Sequence, residues 1–153
     1  MREILFRGKR IDDYVNDKSI DYAEKGAREW AYGDIIHRRY YKNKDVVVIR
    51  TEDSGFDNYS DYEVDPSTIG QYTGLTANGK KIFEGDIVKV SSPAGSSYYA
   101  KIEYDCGCYW ISNPDIQIPD TINNFNMEFV EVIGNIHDKT ELLDNSELLE
   151  DKL

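Results

Sequence analysis

The stretch that decides the fold reads Ile69-Gly70-Gln71-Tyr72-Thr73-Gly74-Leu75, followed by Asn78-Gly79-Lys80-Lys81-Ile82-Phe83-Glu84-Gly85-Asp86-Ile87-Val88. It contains glycine turns and a short strand, and no obvious catalytic group. Asn78-Gly79 is typical of a hairpin turn, because that turn needs residues that tolerate a positive φ. In Gly85-Asp86-Ile87-Val88 the glycine supplies a positive φ, the aspartate accepts hydrogen bonds from nearby backbone amides, and the aliphatic pair enters a strand.

The same pattern continues through most of the chain. Turn residues recur at short intervals, and the apolar residues between them alternate or form short runs, which predicts an all-β protein. Twelve tyrosines and the run Val46-Val47-Val48-Ile49 agree, since aromatic and β-branched side chains suit a half-buried sheet. The predicted strands are Ile4–Arg7, Trp30–Ile36, Asp45–Arg50, Ile69–Tyr72, Ile87–Val90, Tyr98–Tyr104, Cys108–Ile111 and Val130–Ile136.

These motifs, with Arg2-Glu3-Ile4-Leu5-Phe6-Arg7 at the start and Glu131-Val132-Ile133-Gly134-Asn135-Ile136 near the end, resemble the YopX-like family of phage and prophage proteins. The resemblance spans most of the chain and implies an SH3-like barrel over about residues 69–138. It implies that residues 1–68 form a smaller β unit packed on the barrel. It brings no catalytic residue, cofactor or partner to this chain.

Two motifs recur within the sequence. Tyr32-Gly33-Asp34-Ile35-Ile36 echoes Glu84-Gly85-Asp86-Ile87-Val88, and Thr68-Ile69-Gly70-Gln71-Tyr72 echoes Val132-Ile133-Gly134-Asn135-Ile136. A duplication is therefore a hypothesis, in which the N-terminal unit is a degenerate second barrel.

Helix is predicted in two places only. Ser19–Lys25 has the composition of one marginal turn of helix. Residues 139–153 are expected to form a helical tail, with leucines as apolar anchors and Ser146 as a possible N-cap.

Charge limits the partners that the chain can attract. Its 153 residues include 18 Lys and Arg against 29 Asp and Glu, a net charge of −11, which disfavours general attraction to nucleic acid. The densest basic run holds His37, Arg38, Arg39, Lys42 and Lys44, interleaved with Tyr40 and Tyr41. A solvated hairpin is the favoured interpretation, and a local nucleic-acid interface is the alternative.

The sequence contains no apolar segment long enough for a signal peptide or a membrane span, so an intracellular protein is expected. The resemblance to phage and prophage proteins implies that its location is the cytoplasm of a bacterial host cell. The two cysteines, Cys106 and Cys108, are too few for a disulfide framework. Zinc needs about four ligands, and neither His37 nor His137 has a metal-binding spacing. Reduced thiols beside a strand bulge are predicted, with no metal and no cofactor.

Enzyme chemistry has weak support. No Gly-x-Ser-x-Gly nucleophile motif accompanies the two histidines, so no catalytic residue is predicted. The acidic region from Asp53 to Asp65, with Asp57 and Asp61, leaves a metal-dependent hydrolase as the third hypothesis. Its composition is otherwise that of a solvated loop.

A binding module is the favoured function, because small barrels present loops and grooves to partners. The candidate partner-binding residues are Gln71, Tyr72, Thr73, Tyr98, Tyr99, Tyr109 and Trp110. The aromatic members line a groove in this interpretation, and fill a small core in the other. We expect a non-enzymatic accessory or regulatory protein that binds a host or phage protein, and that also self-associates through sheet edges.

Overall fold

The computed structural model describes residues 2–11, 29–40, 44–53, 58–113 and 119–138. The chain divides into two compact units, Met1–Gln71 and Tyr72–Leu153. Within the described ranges the regular structure is antiparallel β-sheet with three short 3-10 turns, at Pro66–Thr68, Ile122–Asn124 and Met127–Phe129. The all-β prediction is therefore confirmed.

The first unit is an antiparallel sheet with strand order β4-β3-β2-β1. Its strands are β1 (Phe6–Lys9), β2 (Trp30–Tyr40), β3 (Lys44–Asp53) and β4 (Asn58–Glu63). Gly70 and Gln71, which open β5 (Gly70–Ala77), pair with β1. The core contains Ala31, Ile49 and Val64, with half-buried apolar side chains packed around them.

The second unit contains the rest of β5 and a five-stranded sheet. Its other strands are β6 (Lys80–Phe83), β7 (Asp86–Ser91), β8 (Ser97–Asp105), β9 (Cys108–Ser112), β10 (Asp120–Thr121) and β11 (Val130–Asn135). The sheet order is β10-β9-β8-β7-β11, so β7, β8 and β9 form a meander and β11 returns to pair with β7. The core is built from one side of the meander and from β5, β6 and β11.

The structure adds strands that the sequence pattern did not predict. β4 lies in a region predicted as a solvated loop, and that prediction is wrong for Asn58–Glu63, which pair with β3 over their whole length. β6 is the second arm of the predicted Asn78-Gly79 hairpin. Both strands are stabilised by a neighbouring strand rather than by an alternating pattern of their own.

A closed SH3-like barrel is not confirmed, because within the residues that the structure describes each sheet has two open ends in its strand order. The predicted helices at Ser19–Lys25 and in residues 139–153 lie outside the described residues. In the part of the chain that is described, no helix is long and apolar enough to cross a membrane.

The predicted turn chemistry is confirmed at the second unit's two motifs. Asn78 and Gly79 have φ of 51° and 79°, as a two-residue hairpin turn of this hand requires. Gly85 has φ of 90°, and Asp86, 1% exposed, accepts a hydrogen bond from the Phe83 amide at 2.7 Å.

The echo of this motif in the first unit has a different structure. Gly33 lies inside β2 rather than in a turn, and Asp34 is exposed and paired in register with Arg50. The two Gly-Asp-Ile segments are therefore not structural equivalents, although their sequences match.

Candidate binding surface

Alternation along β7, β8 and β9 gives the five-stranded sheet a core side and an outer side. The core side carries Val88, Val90, Ala100, Ile102 and Ile111, all buried. Side chains one position away point to the opposite side of a strand, which places Lys89, Tyr99, Lys101 and Trp110 together. Ile87 shares that side but is buried, so the accessible part of the outer side begins at Lys89.

The structure places four of the predicted partner-binding aromatics on the two sides of this sheet and the fifth, Tyr72, on β5. Tyr98 and Tyr109 pack against the core, and burial raises the pKa of Tyr98. Tyr72 is buried, with its ring centroid 5.7 Å from that of Phe83. Tyr99, at 41% exposed, and half-buried Trp110 lie on the outer side. The five aromatics therefore do not line one groove.

The two polar residues of the predicted partner-binding set, Gln71 and Thr73, lie in β5. Gln71 is paired in register with Phe6 of β1. Thr73 Oγ1 donates to the Ile82 carbonyl at 2.9 Å and accepts from the Leu75 amide at 3.2 Å. The β5–β6 register shifts in this segment, where Gly74 has φ of 90°. The Thr73 side chain therefore supplies hydrogen bonds where the regular ladder is interrupted.

We define the outer-face surface as Lys89, Tyr99, Lys101, Glu103, Trp110 and Glu131. Its charges alternate in sign: Lys89 lies across from Glu131, and Lys101 Nζ is 3.0 Å from Glu103 Oε1. Tyr99 lies across from Lys89, and Trp110 across from Glu103. The result is an exposed aromatic ring among charges that sum to zero.

Tyr104 is an exposed aromatic that sequence reasoning left out. It is 54% exposed near the tip of the β8–β9 hairpin and makes an edge-to-face contact with Tyr109 at a centroid distance of 5.1 Å. The period of two from Tyr98 through Ile102 puts Tyr104 on the core side of β8. The alternation of β8 continues beyond Ile102, the last buried residue on its core side. This continuation is the sequence signal that would have identified Tyr104.

The basic stretch lies at one end of the β2–β3 hairpin. His37 is exposed, and in the backbone register Arg38, Arg39 and Tyr40 lie across from Val46, Asp45 and Lys44. Lys42 lies outside the described residues. The predicted hairpin is thus present, with an acidic residue directly across from one of its arginines.

The acidic region is partly occupied by an ion pair. Asp61 accepts two hydrogen bonds from Arg50, at 2.8 Å from Nε and 3.0 Å from Nη2, and this hydrogen bonding raises the pKa of Arg50. The Arg50 guanidinium also lies 3.8 Å from the Tyr59 ring centroid. Asp61 would have to release Arg50 to bind a metal ion, and Asp57 lies outside the described residues. Among the residues described, no three His, Cys, Asp or Glu side chains are grouped to hold a metal.

The predicted strand bulge at the cysteines is wrong. Asp105 pairs directly with Cys108, so Cys106 and Gly107 form a two-residue turn, with φ of 51° and 79°. Trp110 Nε1 donates to the Asp105 carbonyl at 2.9 Å, which fixes the end of this hairpin. Both thiols are free and exposed.

An antiparallel meander with a buried side and a solvent-exposed, mixed-charge side defines a small all-β protein. The YopX protein family model matches residues 14–144, and the chain belongs to this family. A similar solved structure is the crystal structure of protein YopX from Bacillus subtilis, with 14% identity, a TM-score of 0.48, and coverage of 89% of this chain and 94% of that one. No curated protein sequence matches the chain.

Proposed function

We propose that this chain is a non-enzymatic accessory or regulatory protein of phage or prophage origin that binds a host or phage protein through the outer-face surface. The observation that carries the proposal is the exposed Tyr99 ring among paired, opposite charges. Tyrosine and tryptophan are enriched where proteins bind proteins, because they bury large areas and keep a polar group for hydrogen bonding.

The charge pattern supports a protein partner over a nucleic acid. Phosphate backbones select surfaces with a net positive charge, whereas the two lysines here are balanced by Glu103 and Glu131. Alternating charges instead favour a partner whose own charges alternate in the complementary order, since like charges brought together are costly.

The strand order also supports a distorted SH3-like barrel in the second unit. The β7–β8–β9 meander is followed by a 3-10 turn at Met127–Phe129, and β11 then returns to β7. We propose that the unit is an open variant of that fold, with the outer side of the meander available to ligands.

Tyr99→Ala is expected to weaken partner binding by at least about tenfold, since a central aromatic contact contributes about 1.4 kcal/mol or more. The tagged full chain is used to capture partners from host lysate over a salt series, and the dissociation constant of any captured protein is measured with purified components. Tyr104→Ala is the matched control, because it removes an even more exposed ring, 54% against 41%, from the other side of the sheet. A partner lost with Tyr104→Ala and retained with Tyr99→Ala would refute the assignment of the surface.

A nucleic-acid interface at the β2–β3 hairpin is the second candidate. The register that favours it brings Lys44 across from Tyr40 at the hairpin end that carries Arg38 and Arg39. Arg38→Glu combined with Arg39→Glu would abolish capture of nucleic acid in that case alone.

Self-association belongs to the main proposal, and sedimentation of the purified chain tests it.

A further inference from the structure

The two hairpin turns of the second unit have the same backbone geometry but different residues. Asn78-Gly79 and Cys106-Gly107 both have φ of 51° and 79°. Asparagine suits the first position because its short polar side chain tolerates left-handed φ, whereas most other side chains are disfavoured there. Cys106 therefore occupies the position at which the other hairpin turn has asparagine, the residue that this turn prefers.

The Cys106 thiol lies beside a carboxylate and two residues before a second thiol. Its Sγ lies 3.6 Å from Asp105 Oδ1, and Asp105 is the direct cross-strand partner of Cys108. The hydrogen bond to Asp105 raises the pKa of Cys106, and Cys108 adds a smaller contribution of the same sign. Two free, exposed thiols thus lie at one hairpin tip, separated only by Gly107.

We propose that Cys106 and Cys108 form a reversible dithiol–disulfide site that exchanges with small disulfides of the glutathione type. The Cys108 thiolate attacks one sulfur of glutathione disulfide, the S–S bond breaks, and one glutathione thiolate leaves with the electron pair. The Cys106 thiolate then attacks the Cys108 sulfur of the mixed disulfide and displaces the second glutathione thiolate. Two protein thiols are oxidised, one small disulfide is reduced to two thiols, and the protons of Cys106 and Cys108 pass to water or to those thiolates.

The order of attack follows from Asp105. Its carboxylate accepts a hydrogen bond from Cys106 and raises the pKa of that thiol, which lowers the fraction of Cys106 present as thiolate, so the first attack is assigned to Cys108. Cys106 loses that hydrogen bond when it closes the ring. A ring this short restricts the unfolded chain little, and an exposed disulfide is easily reduced. The site is therefore suited to cycling rather than to permanent stabilisation.

The test treats the reduced full chain with excess glutathione disulfide and follows free thiols and intact mass. The expected product is a monomer that has lost both thiols and two hydrogen masses, carries no glutathione, and returns to the starting mass with dithiothreitol. A stable adduct on either cysteine, a disulfide-linked dimer, or no reaction would each overturn the proposal.

Two variants separate the roles of the sulfurs. Cys106→Asn restores the preferred turn residue, so it should fold at least as stably as the parent and stop at one glutathione adduct on Cys108. Cys108→Ser should form its adduct on Cys106 more slowly than Cys106→Asn forms its own on Cys108. Equal rates in the two variants would refute the assigned order of attack.

Discussion

Gly33→Ala is expected to disrupt the first unit, with a loss of about 3 kcal/mol or more in the free energy of unfolding. A β-carbon at Gly33 would lie 1.9 Å from the Arg50 carbonyl oxygen and 2.7 Å from its carbonyl carbon. Both atoms belong to the backbone of β3, so no change of side-chain rotamer relieves the contact. The β2–β3 pairing itself has to shift, and this pairing supports the core residue Ile49.

The measurement uses the two tryptophans, since Trp30 lies in the first unit and Trp110 in the second. With Trp110→Phe as background, Trp30 fluorescence reports denaturant unfolding of the first unit, and the reverse background reports the second. Gly79→Ala is the control, because a β-carbon there meets nothing within 4 Å and only the φ of 79° is unfavourable, at about 1–2 kcal/mol. A Gly33→Ala loss no larger than that of Gly79→Ala would contradict the close backbone approach.

Besides the all-β class, local turn chemistry was predictable from the sequence. Asn78-Gly79 and Gly85-Asp86 form the expected turns because their conformations depend on the residues themselves and their immediate neighbours. Gly33-Asp34 has the same residues, yet its conformation is determined by pairing with β3 rather than by its immediate neighbours in the sequence. Matching sequence motifs alone therefore could not distinguish a glycine that forms a turn from a glycine that lets the backbone of a neighbouring strand approach closely.

The candidate surface was predictable only in part, for a related reason. Alternation shows that Tyr98 and Tyr99 point to opposite sides of β8, but it does not say which side is covered. That depends on how β5, β6 and β11 pack on the meander. The positive φ of Cys106 was equally hidden, because a two-residue turn there requires the Asp105 and Cys108 pairing.

Asp86→Ala is expected to cost about 2–3 kcal/mol, because the Phe83 amide would lose a charged acceptor within a buried turn. The same turn joins three strands: the Gly85 amide donates to the Ile102 carbonyl at 2.9 Å, and the Gly85 carbonyl accepts from Ile136 at 2.9 Å. Loss of the carboxylate therefore weakens the contact of β7 with both β8 and β11. Denaturant unfolding followed through Trp110 measures the effect.

The controls decide whether this motif serves the fold or a partner. Asp86→Asn keeps an oxygen acceptor for Phe83 and should recover part of the lost stability. Asp65→Ala removes a similar acceptor, which bonds the Ser67 amide at 3.0 Å on the exposed surface of the first unit, and should cost about 1 kcal/mol. If Asp86→Asn is nearly as stable as the parent and binds the partner equally well, the motif is structural, as its burial indicates. Full stability with lost partner binding would instead place Asp86 in the binding site and contradict the assignment of binding to the outer-face surface.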